Sequence, residues 1–265
     1  MAGSRRVSNL ASRCRILGMA GRRSRSARRN WSADPVTRQI LEFMVSQWRA
    51  SAVCEPTLVM MSIAKASGLA TGADTPGAPY DDEDGTFRFT LDPRGALSRT
   101  VIYHYDTGKM QIATRDMFTG ERAKEDYDPR KIALAMKAVS DETVAKIGKP
   151  TITVYRGLHS AHGGKLLSSK VGTIVETRPL ESWTPSFEAA TEYAYGKHVM
   201  TVVRGNPVVA ELTCPTTDVF VTTEHSEWLL AAPTAHDRET VLFGRRMRIV
   251  GHREGNPPVV EVETI

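Results

Sequence analysis

Long apolar runs are missing from this 265-residue chain. No stretch approaches the roughly 18 consecutive apolar residues that a membrane-spanning helix needs, and no apolar segment follows the basic N-terminus as it would in a secretory signal. The expectation is a chain with neither span nor leader, residing in the cytoplasm, or in the host's cytoplasm if the source is viral. Cysteine is scarce: Cys14, Cys54 and Cys214 are odd in number, far apart and without Cys-x-x-Cys spacing. This excludes a disulfide framework and a zinc site and favours a reducing compartment. His198, His225 and His236 lack ligand spacing, so no metal is expected. Internal repeats are absent. Gly163-Gly164-Lys165 lacks both the upstream glycine spacing and the following Ser/Thr of a phosphate loop.

Acidic residues are absent from the first 29 positions, which hold nine arginines. The net charge of +5 is therefore local, and the other 236 residues carry 26 basic against 30 acidic side chains, net −4. Residues 1–33 read as a basic, disordered tail. Three uses stay open for it: a nucleic-acid arm through phosphate contacts at 5–29, a transit peptide, or a solvated extension. No aromatic is interleaved with the arginines, which argues against base stacking.

The remaining composition, 41% hydrophobic and 25% charged overall, suits one large domain or two small ones. Asp34-Pro35 reads as a helix start, with Asp34 as N-cap and Pro35 at the first helical position. Ile40, Leu41, Met44, Val45 and Trp48 then recur at helical spacing. A second helix is expected over Leu58 to Ala66, closed by Gly68, and residues 71–85 have loop composition. Phe87 to Phe89 and Val101 to Tyr105 read as a strand pair. Residues 34–124 thus form an accessory region, helical and then a β-hairpin, with no function visible in them.

Residues 125–265 begin with a helix carrying Ile132, Leu134, Ala135, Met136 and Val139 up to a turn at Gly148-Lys149-Pro150. Short β-prone runs follow at Val171 to Val175, Pro207 to Thr213, Asp218 to Thr222, Glu239 to Phe243, Met247 to Val250 and Val259 to Val262. One helix, Phe187 to Tyr195, interrupts them, with Ser186 as its natural N-cap. The class is α+β.

Three islands in this half carry chemistry. Tyr155-Arg156-Gly157 ends a β-branched run. Ser182-Trp183-Thr184 precedes the Phe187 helix, and Asp237-x-Glu239 leads into an expected β-hairpin, Thr240 to Phe243 and Met247 to Val250 with a turn at Gly244. Alone, each has a plain reading: a strand-end ion pair, a helix cap, a solvated strand-start acid. In this order the islands resemble the Arg, Ser-x-Ser/Thr and Glu motifs of mono-ADP-ribosyltransferases of the Arg-Ser-Glu class. The order is shared by bacterial toxins, bacteriophage enzymes and animal cell-surface transferases, and this chain is most similar to the bacteriophage or intracellular bacterial kind.

The resemblance implies a split β core of two small mixed sheets with flanking helices. It implies NAD as co-substrate, cleaved to nicotinamide and ADP-ribose without a metal. Arg156 would hold the diphosphate with its guanidinium fork, and Gly157 would let the backbone approach. Ser182 would orient the ribose and the glutamate, and Thr184 would support the pocket. Glu239 would hold the ribose hydroxyl and stabilise the oxocarbenium-like transition state. Trp183 would be core. Where arginine-directed members carry Glu or Gln, this chain carries Asp237, one methylene shorter, as its acid toward the target. Thr222 to His236 would be the target-recognition loop; its Trp228 contacts a target or packs inward with Leu229-Leu230, and both readings stay open. The implied acceptor is a macromolecule, a protein foremost, with arginine as one candidate residue and the acceptor residue left open, and with nucleic acid delivered by the tail as the other class. Two alternatives remain: an NAD glycohydrolase using water, and a non-catalytic nucleic-acid-binding protein on a degenerate scaffold of the same fold. Oligomeric state is left open.

Overall fold

A computed structural model describes residues 34–48, 54–73, 85–93, 95–196, 205–225 and 238–265. The basic tail, Trp228, Asp237, His198 and His236 lie outside the described residues. Helix α1 is Pro35–Trp48. Asp34 caps it, its Oδ1 accepting from the amides of Val36 and Thr37 at 3.0 Å each. The stripe Ile40, Leu41, Met44, Val45 and Trp48 is buried as the spacing predicts. Helix α2, Glu55–Ala66, starts three residues before the expected Leu58 because Pro56 occupies the first turn, where a missing N–H costs nothing. It ends before Gly68, whose φ of 73° is left-handed.

The hairpin expected next is part of a four-stranded antiparallel meander, β1 (Thr86–Thr90), β2 (Leu97–His104), β3 (Lys109–Asp116) and β4 (Arg122–Tyr127), in that spatial order. Strand β4, reading Arg-Ala-Lys-Glu-Asp-Tyr, is almost wholly exposed and shows no apolar alternation. Its charges suit an edge strand that must not recruit another chain. The boundary drawn at 124/125 falls inside it.

Helix α3, Arg130–Ile147, buries Ile132, Ala135, Met136, Val139 and Thr143 on one face and stops at Gly148 in the left-handed conformation. Leu134, expected among the apolar positions, is exposed. At 100° per residue it points away from the stripe. The strand-rich half then supplies β5 (Thr151–Leu158), α4 (Ser160–Ser168), β6 (Ile174–Val175), β7 (Leu180–Trp183), α5 (Phe187–Ala194), β8 (Val208–Pro215), β9 (Val219–Thr222), β10 (Thr240–Phe243), β11 (Met247–Arg253) and β12 (Val259–Thr264). Helix α4 was not expected, since Phe187 to Tyr195 was the one helix read among the strands after Gly148. Gly163 is there for contact: a Cβ on it would lie 2.6 Å from the Asn206 carbonyl oxygen. The strand expected over Val171 to Val175 shrinks to two residues.

These strands form two sheets. One runs β5-β8-β12-β11-β6, with β8 and β12 parallel and its other pairs antiparallel; the other, β7-β10-β9, is antiparallel throughout. The expectation of two mixed sheets therefore holds for one of them only. The expected β10–β11 hairpin is also corrected, since the two strands lie in different sheets. Gly244 makes the crossing: a Cβ there would stand 1.7 Å from the Arg178 carbonyl oxygen, so the two backbones pass where no side chain fits. Arg245, next in the chain, is tied to buried Asp218 at 2.9 Å.

The three-stranded sheet is covered on both sides. Leu180, Val221, Val241 and Phe243 join one apolar cluster with α1, α2, α3 and the meander, while Trp183, Val219 and Leu242 join a second with the five-stranded sheet. The accessory region thus shares its core with the second half. The architecture is α+β, and among the described residues no helix is long and apolar enough to cross a membrane.

Candidate active site

Strands β5 and β7 are edge strands of their respective sheets. They meet through one bridge, in which the Tyr155 amide donates to the Thr184 carbonyl at 2.7 Å and the Thr184 amide returns to Tyr155 at 2.9 Å. Beside it opens a cleft of about 330 Å³ lined by Trp48, Tyr155, Arg156, Gly157, Ser182, Trp183, Thr184, Ala189, Tyr193 and Glu239. That volume lies at the lower end of small-molecule sites. Arg156, Ser182 and Glu239, up to 83 positions apart, all border it.

The register of β7 against β10 explains half of this convergence. Ser182 is opposite Val241, so both side chains share a face, and Glu239, two residues before Val241, returns to that face. Ser182 Oγ accordingly donates to Glu239 Oε1. The Glu239 backbone is pinned from behind, its carbonyl accepting from the Thr223 amide at 2.9 Å. The face they share is the helical one, and Trp48 at the end of α1 reaches them: its Nε1 donates to Ser182 Oγ and to Glu239 Oε1 at 3.0 Å each.

On the opposite face of β7, Glu181 takes Arg156. The pair is 2.6 Å apart, with side chains 29% and 12% exposed. The second oxygen of Glu181 accepts from the Arg178 amide at 3.2 Å. A guanidinium has five donors, so Arg156 keeps donors for an anion after this contact. Because β7 is an edge, a ligand beside it can meet both faces, the cation from one and the hydroxyl–carboxylate pair from the other.

Gly157 lines the cleft, and its missing side chain serves the protein itself. A Cβ there would lie 2.1 Å from the Ala190 carbonyl oxygen and 2.5 Å from the Ala194 amide, so the glycine lets α5 lie on β5. Thr184 supports the wall as expected of it, with its hydroxyl accepting from the Ser186 amide at 3.1 Å. Ser186 caps α5 through the Ala189 amide at 3.1 Å. Trp183 belongs to the apolar cluster between the sheets, and its indole nitrogen is buried without a hydrogen-bond partner among the described residues. Tyr155 and Phe187 pack edge to face, 5.4 Å between centroids.

Sequence reading placed Trp48 only in the α1 stripe and Tyr155 only beside Arg156, and it did not single out Glu181. For Trp48 a signal existed, since a buried indole N–H needs an acceptor. For Glu181 it was adjacency to Ser182. Among the described residues no three His, Cys, Asp or Glu side chains are placed to hold a metal ion. No protein-family model matches the chain, and no curated protein matches it.

Proposed function

We propose that this chain is a mono-ADP-ribosyltransferase that moves ADP-ribose from NAD to a macromolecular acceptor, a protein foremost, and releases nicotinamide. One observation carries the reading: Arg, Ser and Glu islands with the family's order in sequence border one cleft, with Ser182 on Glu239 and Arg156 across the β7 edge. Two small sheets meeting at edge strands, with helices outside, are compatible with a split β core of that family.

The residues fit the co-substrate. Arg156 offers a cation for the diphosphate, and the Ser182–Glu239 pair borders the same cleft. Bound NAD supplies the activated ribose and nicotinamide as its leaving group. The chain's part is positional and electrostatic. Arg156 neutralises the diphosphate, Ser182 orients Glu239, and the Glu239 carboxylate faces the positive charge that develops on the ribose carbon as the leaving group departs.

The test is incubation with NAD labelled in its adenylate half, with and without lysate protein and nucleic acid, following free nicotinamide and transferred label. The wild-type chain is expected to do both. Glu239→Ala should lose at least about a hundredfold, the scale of removing one transition-state electrostatic partner. Nicotinamide without transferred label would instead make the chain a glycohydrolase. Absence of release from the folded protein, with acceptors present, would refute NAD cleavage and leave a binding scaffold.

A further inference from the structure

The three islands do not include Trp48, which sits on α1 more than a hundred residues before Arg156. It is 4% exposed, with its rings in the cluster that joins α1 to the three-stranded sheet. Its N–H lies 3.0 Å from Ser182 Oγ and 3.0 Å from Glu239 Oε1. We propose that Trp48 is the positioning residue of this site, fixing the Ser182–Glu239 pair from the helical region; this rests on reading the cleft as the NAD-cleaving site.

The argument is one of donors and acceptors. An indole nitrogen only donates, so Ser182 Oγ must accept from Trp48 and has its single proton left to give. That proton goes to Glu239 Oε1, which therefore takes two donors. A serine–glutamate pair alone could rotate about several torsions, since neither side chain is large or rigid. A two-ring side chain buried on a helix cannot, and its N–H direction is set by packing rather than by the pair it serves. The polarity of the network is thus decided by α1, and the N–H that α1 supplies helps to aim the carboxylate.

Such a residue acts on the reaction through Glu239, so its removal should appear in turnover. Trp48→Phe keeps a buried ring and deletes the donor. Nicotinamide release is expected to fall about tenfold to a hundredfold in kcat, the scale of a misplaced catalytic group, with KM for NAD changed less than about threefold. Val45→Ala is the control: it loosens the same buried stripe, and should lower the melting temperature while leaving kcat alone. If Trp48→Phe does not fold, benzothienylalanine at position 48, which replaces the N–H with sulfur at nearly constant shape, is the second variant. Wild-type kcat in the donor-less protein, or an equal fall in kcat in Val45→Ala, would overturn the proposal. Crystals of the donor-less variant separate this from the reading it rests on. If the wild-type chain cleaves no NAD, that reading fails, yet the Glu239 carboxylate should still leave Ser182 when the N–H is gone; an unmoved carboxylate overturns the role of Trp48 whatever the activity.

Discussion

Gly157→Ala adds one methyl group at the point where helix α5 lies on strand β5. The added carbon would stand 2.1 Å from the Ala190 carbonyl oxygen, 2.5 Å from the Ala194 amide nitrogen and 2.8 Å from Tyr193 Cβ, against an ordinary contact of 3.4 Å or more. Two of the three are backbone atoms, so no rotamer change relieves the clash. The helix must withdraw by more than about 1 Å, and Ala190 and Ala194, 0% and 1% exposed, hold it against Val209, Val259 and Tyr155. Overpacking of this kind costs about 1–3 kcal/mol, and loosening two buried methyl groups adds up to about 1 kcal/mol each. We expect a loss of about 3 kcal/mol, which in a chain of this size lowers the melting point by roughly 6–12 °C. Urea and thermal unfolding read it, with Gly164→Ala as control. That glycine is on helix α4, where among the described residues a Cβ would meet only the Asn206 side-chain nitrogen at 3.4 Å. Alanine there should be neutral, or stabilising by up to about 1 kcal/mol. Because α5 carries Ala189 and Tyr193 into the cleft wall, Gly157→Ala should also weaken ligand binding. A Gly157→Ala protein within about 0.5 kcal/mol of wild type would refute the packing argument.

Asp34→Ala should cost about 1 kcal/mol, measured by urea unfolding at pH 7, because it deletes the side-chain cap of α1. The Thr37 hydroxyl, then the Thr37 amide, hold the Asp34 carboxyl below the usual aspartate range. Its contribution is therefore present above about pH 4, the unfolded value, and lost as pH falls through the lowered folded value. Asp34→Asn should blunt that acid limb, and an unchanged limb would contradict it. Burial, helped by the Asp218 carboxylate, pushes the Cys214 thiol up to about 12. The folded value exceeds the unfolded one of about 8.5, so its contribution is complete below about pH 8.5 and is lost as pH rises toward the folded value. Iodoacetamide at pH 8 should leave Cys214 unmodified until urea unfolds the chain; modification of the native protein at the rate of a free thiol would contradict this. Arg156→Ala leaves the Glu181 carboxylate, among the described residues, with only the Arg178 amide, which should cost about 1–3 kcal/mol. On the NAD reading it also raises KM for NAD about tenfold or more. An unchanged KM would remove Arg156 from the diphosphate site.

Where a residue's role was local, it could be read from the chain. The Asp34 and Ser186 caps, the α1 stripe and the helix stops at Gly68 and Gly148 each depend on neighbours within a few positions, and all five are observed. Strand β4 was invisible because its pairing with β3 uses backbone groups while its side chains stay wet and charged. Helix α4 contains two adjacent glycines, poor helix formers, and Gly163 is there for a contact 43 residues away, at Asn206. The crossing at Gly244 looked like a hairpin turn, because a glycine between two apolar runs is what a hairpin would also show. What distinguishes the two is the carbonyl of Arg178, which no local pattern contains. Arg156, Ser182, Thr184 and Glu239 were singled out by resemblance and all border the cleft, yet their partners Glu181 and Trp48 were not.

Trp48 also bears on how the chain divides. By composition the first half looks like an appendage, and the motifs lie wholly in the second. In the fold, α1, α2, β1 and β2 share one apolar cluster with Leu180, Phe220, Val221, Val241 and Phe243. The amides of Thr71 and Gly72 donate to the Gly244 carbonyl at 2.9 and 3.1 Å, so the first half also pins the crossing between the two sheets. A fragment starting at residue 125 would keep α3 but strip α1, α2 and the first meander strands from the cluster on the helical face of the three-stranded sheet, lose that clamp, and leave Ser182 and Glu239 without the indole that both accept from. Each loss falls on the same strands, β7 and β10, which hold the hydroxyl and lead directly from the carboxylate. The cleft is therefore a property of both halves together, because the layer over the helical face of the sheet that aims Glu239 is built jointly by α1, α2 and the meander from the first half and α3 from the second.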